Sequence, residues 1–182
     1  MKMKKWLGVV LAAGMVMMTA CGGNPAEGSS GAVQGSGSSG AQGTAVSQKG
    51  YVFTHNGTTV SVDQDMADVL KGLGEAASYF EAPSCAFEGL DKVYTYNGFT
   101  IDTYPQDGKD LVSAITLTDD IVTTAEGVYN GSSLADVTAA YGTDYAEEGG
   151  MVVYKKDGMK LCFIVQDDVV MSIQYLSTVL DE

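Results

Sequence analysis

The sequence predicts an α+β domain built as a tandem repeat, in which a short helix is followed by antiparallel strands and both helices pack on one face of an antiparallel sheet. Three observations predict it. A helix-like segment beginning at Asp65 recurs at Ser133, an offset of 68. Two-residue hairpin turns recur at Asn97-Gly98 and Asp157-Gly158, an offset of 60. The residues around those turns alternate between apolar and polar, the period of a strand with one buried face.

The chain opens with a basic patch, Met1-Lys2-Met3-Lys4-Lys5, and an apolar run from Trp6 to Met18. That run of about 13 residues is too short for a spanning helix, which needs about 20, and it ends in the small residues Thr19-Ala20. Basic start, apolar centre and small residues predict a secretory signal peptide over 1–20. Met18-Thr19-Ala20-Cys21 resembles the bacterial lipobox. That resemblance implies lipidation of Cys21, an anchor in the cell membrane and display on its extracellular face. From Gly22 to Lys49 the chain is mainly Gly, Ser, Ala and Gln, which cannot bury enough apolar surface to offset chain entropy. Residues 21–49 are therefore expected to be the lipidated cysteine and a disordered tether, leaving 50–182 as the folded domain, with repeats at about 51–118 and 119–180.

In the domain, Asn56-Gly57 predicts a first hairpin within 51–62. Asp65 and Ser133 then read as helix N-caps, with Asp68 and Asp136 three residues later in capping-box position. Met66, Val69, Leu70 and Leu73 form one apolar stripe, repeated more thinly by Leu134, Val137 and Tyr141. Gly74 and Gly142 supply the left-handed residue that ends each helix. Each helix is followed by a hairpin and by a third strand, at 112–117 and 170–175. Residues flanking a two-residue turn share a face, so Tyr96/Phe99, Tyr94/Ile101, Tyr154/Leu161 and Val152/Phe163 should meet the helices. The opposite face carries Thr95, Thr100, Asp102 and Tyr104, then Val153, Lys155, Lys160, Cys162 and Ile164, a mixed set suited to solvent or a partner. Asp102, Tyr104, Lys155 and Lys160 are its candidate binding residues.

Ten lysines and no arginine face 23 acidic residues, a net charge of −13. Loss of the signal would remove three of those lysines and leave −16. Such a surface repels phosphate backbones, so nucleic acid is excluded as a partner. Besides Cys21 there are Cys85 and Cys162, which in a secreted chain permit either a disulfide or two small buried thiols.

Two successive helix-then-strands units behind a signal peptide resemble the tandem beta-lactamase inhibitory protein fold. The pattern Gly131-Ser132-Ser133-x-x-Asp136-Val137-x-x-x-Tyr141-Gly142 is similar to the helix start of the SmpA/OmlA (BamE-like) outer-membrane lipoproteins. Ala82-Pro83-Ser84-Cys85-Ala86-Phe87-Glu88-Gly89, with the Asn-Gly hairpins, resembles uncharacterised lipoproteins of Clostridium-type anaerobes. The resemblance covers roughly 51–180, implies a fold rather than an activity, and favours a single-membrane (Gram-positive type) host.

No nucleophile elbow, zinc-protease helix, Cys-x-x-Cys or phosphate loop occurs, and the one histidine, His55, sits beside a turn without catalytic partners. The acidic groups Asp63/Asp65/Asp68, Asp119/Asp120 and Asp167/Asp168 lack calcium-loop spacing and read as caps and strand-end charge. No metal, cofactor or catalytic residue is expected. The predicted function is a non-catalytic binding module, held to the membrane by its lipid and meeting an unknown protein or cell-wall partner. The alternatives are an inhibitor of an extracellular hydrolase and a carboxylate-based enzyme.

Overall fold

The computed structural model describes residues 50–181. The expected signal peptide, Cys21 and the tether fall outside the described residues. Among the described residues no helix is long and apolar enough to cross a membrane.

A small hairpin comes first: β1 (Phe53–His55) and β2 (Thr58–Val60), joined by Asn56-Gly57 with both residues at positive φ. Helix α1 (Met66–Leu73) follows, then β3 (Ser78–Pro83), β4 (Leu90–Tyr96), β5 (Phe99–Gln106) and β6 (Lys109–Leu117). Then come α2 (Leu134–Tyr141), β7 (Ala146–Glu148), β8 (Met151–Lys156), β9 (Met159–Gln166) and β10 (Val169–Ser177), closing in a 3-10 turn at Thr178–Asp181. The eight strands β3 to β10 form one antiparallel sheet in the order β3-β4-β5-β6-β10-β9-β8-β7. The seam is β6 against β10, with Ile115 opposite Tyr175 and Leu117 opposite Ile173.

The expected buried face is the observed one. Tyr94, Ile101, Ile115, Tyr175, Leu161 and Tyr154 lie opposite one another in sequence across six strands. All six belong to one core cluster with Phe53, Met66, Val69 and Val137. The helices close that face because their stripes have nowhere else to bury, each being too short to persist alone. Burial is the main stabilising term, at roughly 25 cal/mol per Å² of apolar surface.

The helix termini are as read, with one difference. At α2 the full capping box forms: Ser133 Oγ accepts from the Asp136 amide at 3.1 Å, and the Asp136 carboxylate accepts from the Ser133 amide at 2.9 Å. At α1 Asp65 caps by accepting from Ala67 at 3.0 Å, but the Asp68 carboxylate turns to Lys71 at 2.6 Å. Gly74 and Gly142 have positive φ (77° and 88°) with extended ψ. Their carbonyls accept from Tyr96 and Tyr154 hydroxyls at 3.1 and 2.7 Å, so a hairpin tyrosine ties down the end of each helix.

The chain before each helix docks on the sheet in the same way. Asp63 N–H donates to Val112 and Val112 N–H to Gln64, at 2.7 and 2.9 Å; Gly131 N–H donates to Val170 and Val170 N–H to Ser132, both at 2.8 Å. Just past each docking point the ladder shifts by one residue, at Ser113 and at Met171. The structure shows two helices on a large antiparallel sheet, the α+β class expected.

Two strands were not expected. β3 lies within what read as a long helix-to-hairpin loop, and β7 is only three residues long. They form the two edges of the sheet.

Candidate binding face

On the face away from the helices, side chains line up in rows set by the strand register. One row runs Phe80, Val93, Asp102, Ala114, Leu176, Lys160, Lys155. The next holds Thr95, Thr100, Thr116, Gln174, Cys162 and Val153. The register thus places three of the four predicted binding residues, Asp102, Lys160 and Lys155, in one row.

The rows change character at the seam. In the half led by α1, Val93, Thr95, Thr100, Asp102 and Ala114 are all partly exposed. In the other half, Val153 and Cys162 are almost fully buried. There Lys155 reaches diagonally to Glu148 (2.5 Å), across the strand position of Val153, and Lys160 pairs with Asp181 of the terminal 3-10 turn (2.6 Å). Both predicted lysines are therefore engaged in roofing that half.

Asp102 is the polar group of most chemical interest on the open half. Burial among its row neighbours raises its carboxyl above the ordinary range. It makes no ion pair among the described residues. A half-buried carboxylate between Val93 and Ala114, with Thr100 one residue row away, can accept a hydrogen bond or meet a cation from a partner that displaces water.

Tyr104, the fourth predicted residue, is corrected: it is 2 % exposed and belongs to the interior. Phe87, from the loop after β3, packs on its ring at 5.1 Å between centroids, and its hydroxyl donates to Asp63 at 3.0 Å. Burial, reinforced by the Asp63 charge, pushes the phenol up to about 12. Asp63 also accepts from Ser177 at 2.7 Å, so this carboxylate is a tie between the pre-helix segment and the sheet rather than a helix cap. The other acidic groups are accounted for locally: Asp65 caps α1 and meets Lys109 at 3.2 Å, and Asp119 accepts from the Asp120 amide at 2.7 Å. Among the described residues no three His, Cys, Asp or Glu side chains are arranged to hold a metal ion.

The disulfide option is also corrected. Cys85, exposed in the loop after β3, and Cys162, buried in β9, are both free thiols. They sit in opposite halves of the sheet, with four strands' register between their elements. Desolvation pushes the Cys162 thiol up to about 11, which makes it a poor nucleophile.

A shallow cleft of about 590 Å³ opens at the corner between the loop after β3 and the β5–β6 turn. Its lining includes Phe87, Leu90, Lys92, Lys109 and Asp110. Lys92 is held by Asp110 at 2.7 Å and Lys109 by Asp65, so both lysines are already paired.

No family model and no curated protein matches the sequence. Among solved structures the chain is similar to an extracellular protein containing an SCP domain from Bacillus anthracis, at 12 % identity and a TM-score of 0.46, over 64 % of this chain and 44 % of that one. It is also similar to a cysteine-rich secretory protein from Staphylococcus aureus, at 12 % identity and a TM-score of 0.39, over 73 % of this chain and 49 % of that one. The chain thus matches less than half the length of either. These findings correct the resemblance read from the sequence: the solved structures found are an extracellular SCP-domain protein and a cysteine-rich secretory protein, in place of the Clostridium-type lipoproteins and the beta-lactamase inhibitory protein and SmpA/OmlA folds.

Proposed function

We propose that this protein is a non-catalytic binding module displayed outside the cytoplasmic membrane, where lipid on Cys21 anchors it and residues 22–49 act as a spacer. The observation that carries the binding reading is the open half of the outer sheet face. Val93, Asp102, Ala114, Thr95 and Thr100 present apolar, hydroxyl and carboxylate groups together on a strand scaffold, and no ion pair roofs them. Apolar area with a few fixed polar groups is what a protein or cell-wall polymer partner needs for orientation. Duplication of a helix-and-four-strand unit explains the layout. It is supported by the strand order, which reads alike from both edges, and by the matching pre-helix docking and tyrosine-to-glycine ties.

The test is capture from cell-surface extract with the domain 50–182, using Asp102→Lys and Thr100→Arg beside the unaltered domain. Both substitutions should abolish retention of whatever the unaltered domain holds. Retention unchanged by both would remove this face as the binding surface. The anchor is tested separately: Cys21→Ser should release the protein into the medium and abolish incorporation of labelled fatty acid.

A further inference from the structure

We infer that β3 is a self-association edge, on which a second copy of this chain adds its own β3 antiparallel to form a continuous sheet. This goes beyond the binding reading and uses a different part of the molecule.

Among the described residues β3 pairs with β4 alone, which leaves the other side of its backbone free of them. Free edges in folded proteins are usually short or guarded by charge. β7, at the other margin, fits that rule, with three residues that include Glu147 and Glu148. β3 is less guarded: it has Glu81 and Pro83, but it runs six residues and carries Tyr79 and Phe80 at 50 % and 63 % exposure. The two aromatics stand on opposite faces of the edge, since they are adjacent on a strand.

The ladder decides which backbone groups are free. Ser84 N–H donates to Gly89, fixing that pair as hydrogen-bonded. Alternation along the same register makes Ala82/Asp91, Phe80/Val93 and Ser78/Thr95 hydrogen-bonded as well. The outward-facing residues are then Tyr79, Glu81 and Pro83. An antiparallel copy centred on Phe80 places Tyr79 opposite Glu81 of the partner subunit, and the reverse. Both are outward-facing, so four backbone hydrogen bonds form. Phe80 falls opposite Phe80 of the partner subunit in a non-hydrogen-bonded pair, where side chains approach most closely.

The remaining positions agree with this register. Pro83, which has no N–H, falls opposite Ala77 of the partner subunit; the Ala77 N–H is already given to Thr95 at 2.8 Å within its own chain, so the pairing strands no N–H there and the two carbonyls stay open to water. Each Glu81 lies opposite a tyrosine and not the other Glu81. Tyr79 already donates to Glu81 within the chain, and the same donor and acceptor are presented across the two-fold axis. Both copies are acidic, so the association should strengthen as salt screens their repulsion.

The experiment is sedimentation equilibrium of the domain 50–182 from micromolar to millimolar concentration, at low and high salt, for the unaltered domain, Phe80→Lys, and Phe80→Cys in a Cys85→Ser background. Thermal unfolding confirms that each variant is folded. The unaltered domain should show a monomer–dimer equilibrium that tightens with salt. Phe80→Lys should weaken the dimer at least about tenfold, the scale of losing an aromatic anchor from an interface centre. Phe80→Cys should oxidise to a covalent dimer. A monomer at every concentration, or a dimer unaffected by Phe80→Lys, would overturn the inference. So would a Phe80→Cys variant that stays monomeric on oxidation.

Discussion

In the half led by α1, the outer strand runs six residues and carries Phe80 and Tyr79 into solvent; in the half led by α2, it runs three residues and ends at Glu148, which ties down Lys155. The inner strands of the two halves share one core and meet at a four-residue seam. The face away from the helices is open in the first half and roofed by ion pairs in the second. The two halves are alike where burial constrains them and differ at the edges and outer face, where solvent does not. It is there that the first half exposes the surfaces proposed to meet other molecules.

The largest effect is in the shared core. Ile101→Ala and Leu161→Ala, equivalent positions on opposite sides of the seam, should each cost about 2–5 kcal/mol. Both should lower a single unfolding transition, because both residues belong to one cluster. Far-ultraviolet and near-ultraviolet circular dichroism in urea would check this; the only tryptophan, Trp6, lies outside the domain. Two separate transitions would show that the halves are independent.

The turn glycines come next. Gly98 and Gly158 both have positive φ, at 90° and 81°. A Cβ at Gly98 would also sit 2.9 Å from the Ile121 side chain, whereas at Gly158 it would meet only Thr178 Oγ1 at 3.9 Å. Gly158→Ala should cost about 1 kcal/mol from backbone strain. Gly98→Ala should cost more, by about 1 kcal/mol or above, as overpacking adds to strain. Equal Tm losses would contradict the tighter packing of the first turn.

Smaller effects belong to caps and carboxylates. Asp65→Ala and Ser133→Ala should each cost about 1 kcal/mol as lost N-caps. Asp65 and Asp102 should then show opposite pH behaviour. The Ala67 amide holds the Asp65 carboxyl below its ordinary value, with Lys109 adding to this. Its stabilisation is therefore complete above the unfolded-state value and is lost as pH falls through the folded one. Burial raises Asp102, so folding binds its proton more tightly. Its contribution favours the fold below the unfolded-state value and declines as pH rises through the folded one. Asp102→Asn should accordingly raise Tm slightly at neutral pH and leave it unchanged in acid. A drop in Tm at neutral pH would mean that the carboxylate makes a favourable contact in the fold.

Much of this was legible in the residues. Caps, apolar stripes and two-residue turns placed both helices, the central hairpins and the third strands, because each signal is local. The shared face of Tyr94, Ile101, Tyr154 and Leu161 followed from turn geometry alone. β3 and β7 were not legible. An edge strand buries little, so Ser78–Pro83 shows no clean alternation and ends in proline, while Ala146–Glu148 is too short to carry a pattern. Tyr104 was misplaced because its burial depends on Phe87 and Asp63, distant in sequence and brought over the outer face by the loop and the pre-helix segment. The one available hint was Phe87 itself, a large apolar residue in a loop that gave it nothing local to pack on. Asn97-Gly98 forms the two-residue turn expected, with Gly98 at positive φ and Asn97 not. The Thr118 amide bonds the Gly98 carbonyl at 2.9 Å and brings Ile121 against the turn, a long-range contact that no turn dipeptide encodes.

The claim that the first half carries the binding surface is tested most directly by a photo-crosslinking residue placed in the intact protein on living cells, at Thr100 in one strain and at Lys155 in another. Thr100 and Lys155 lie on the same outer face, one in the open half and one held by Glu148 as part of the ion-pair roof. The account predicts a discrete crosslinked species from position 100 and none from position 155. A species from position 155 alone would contradict it.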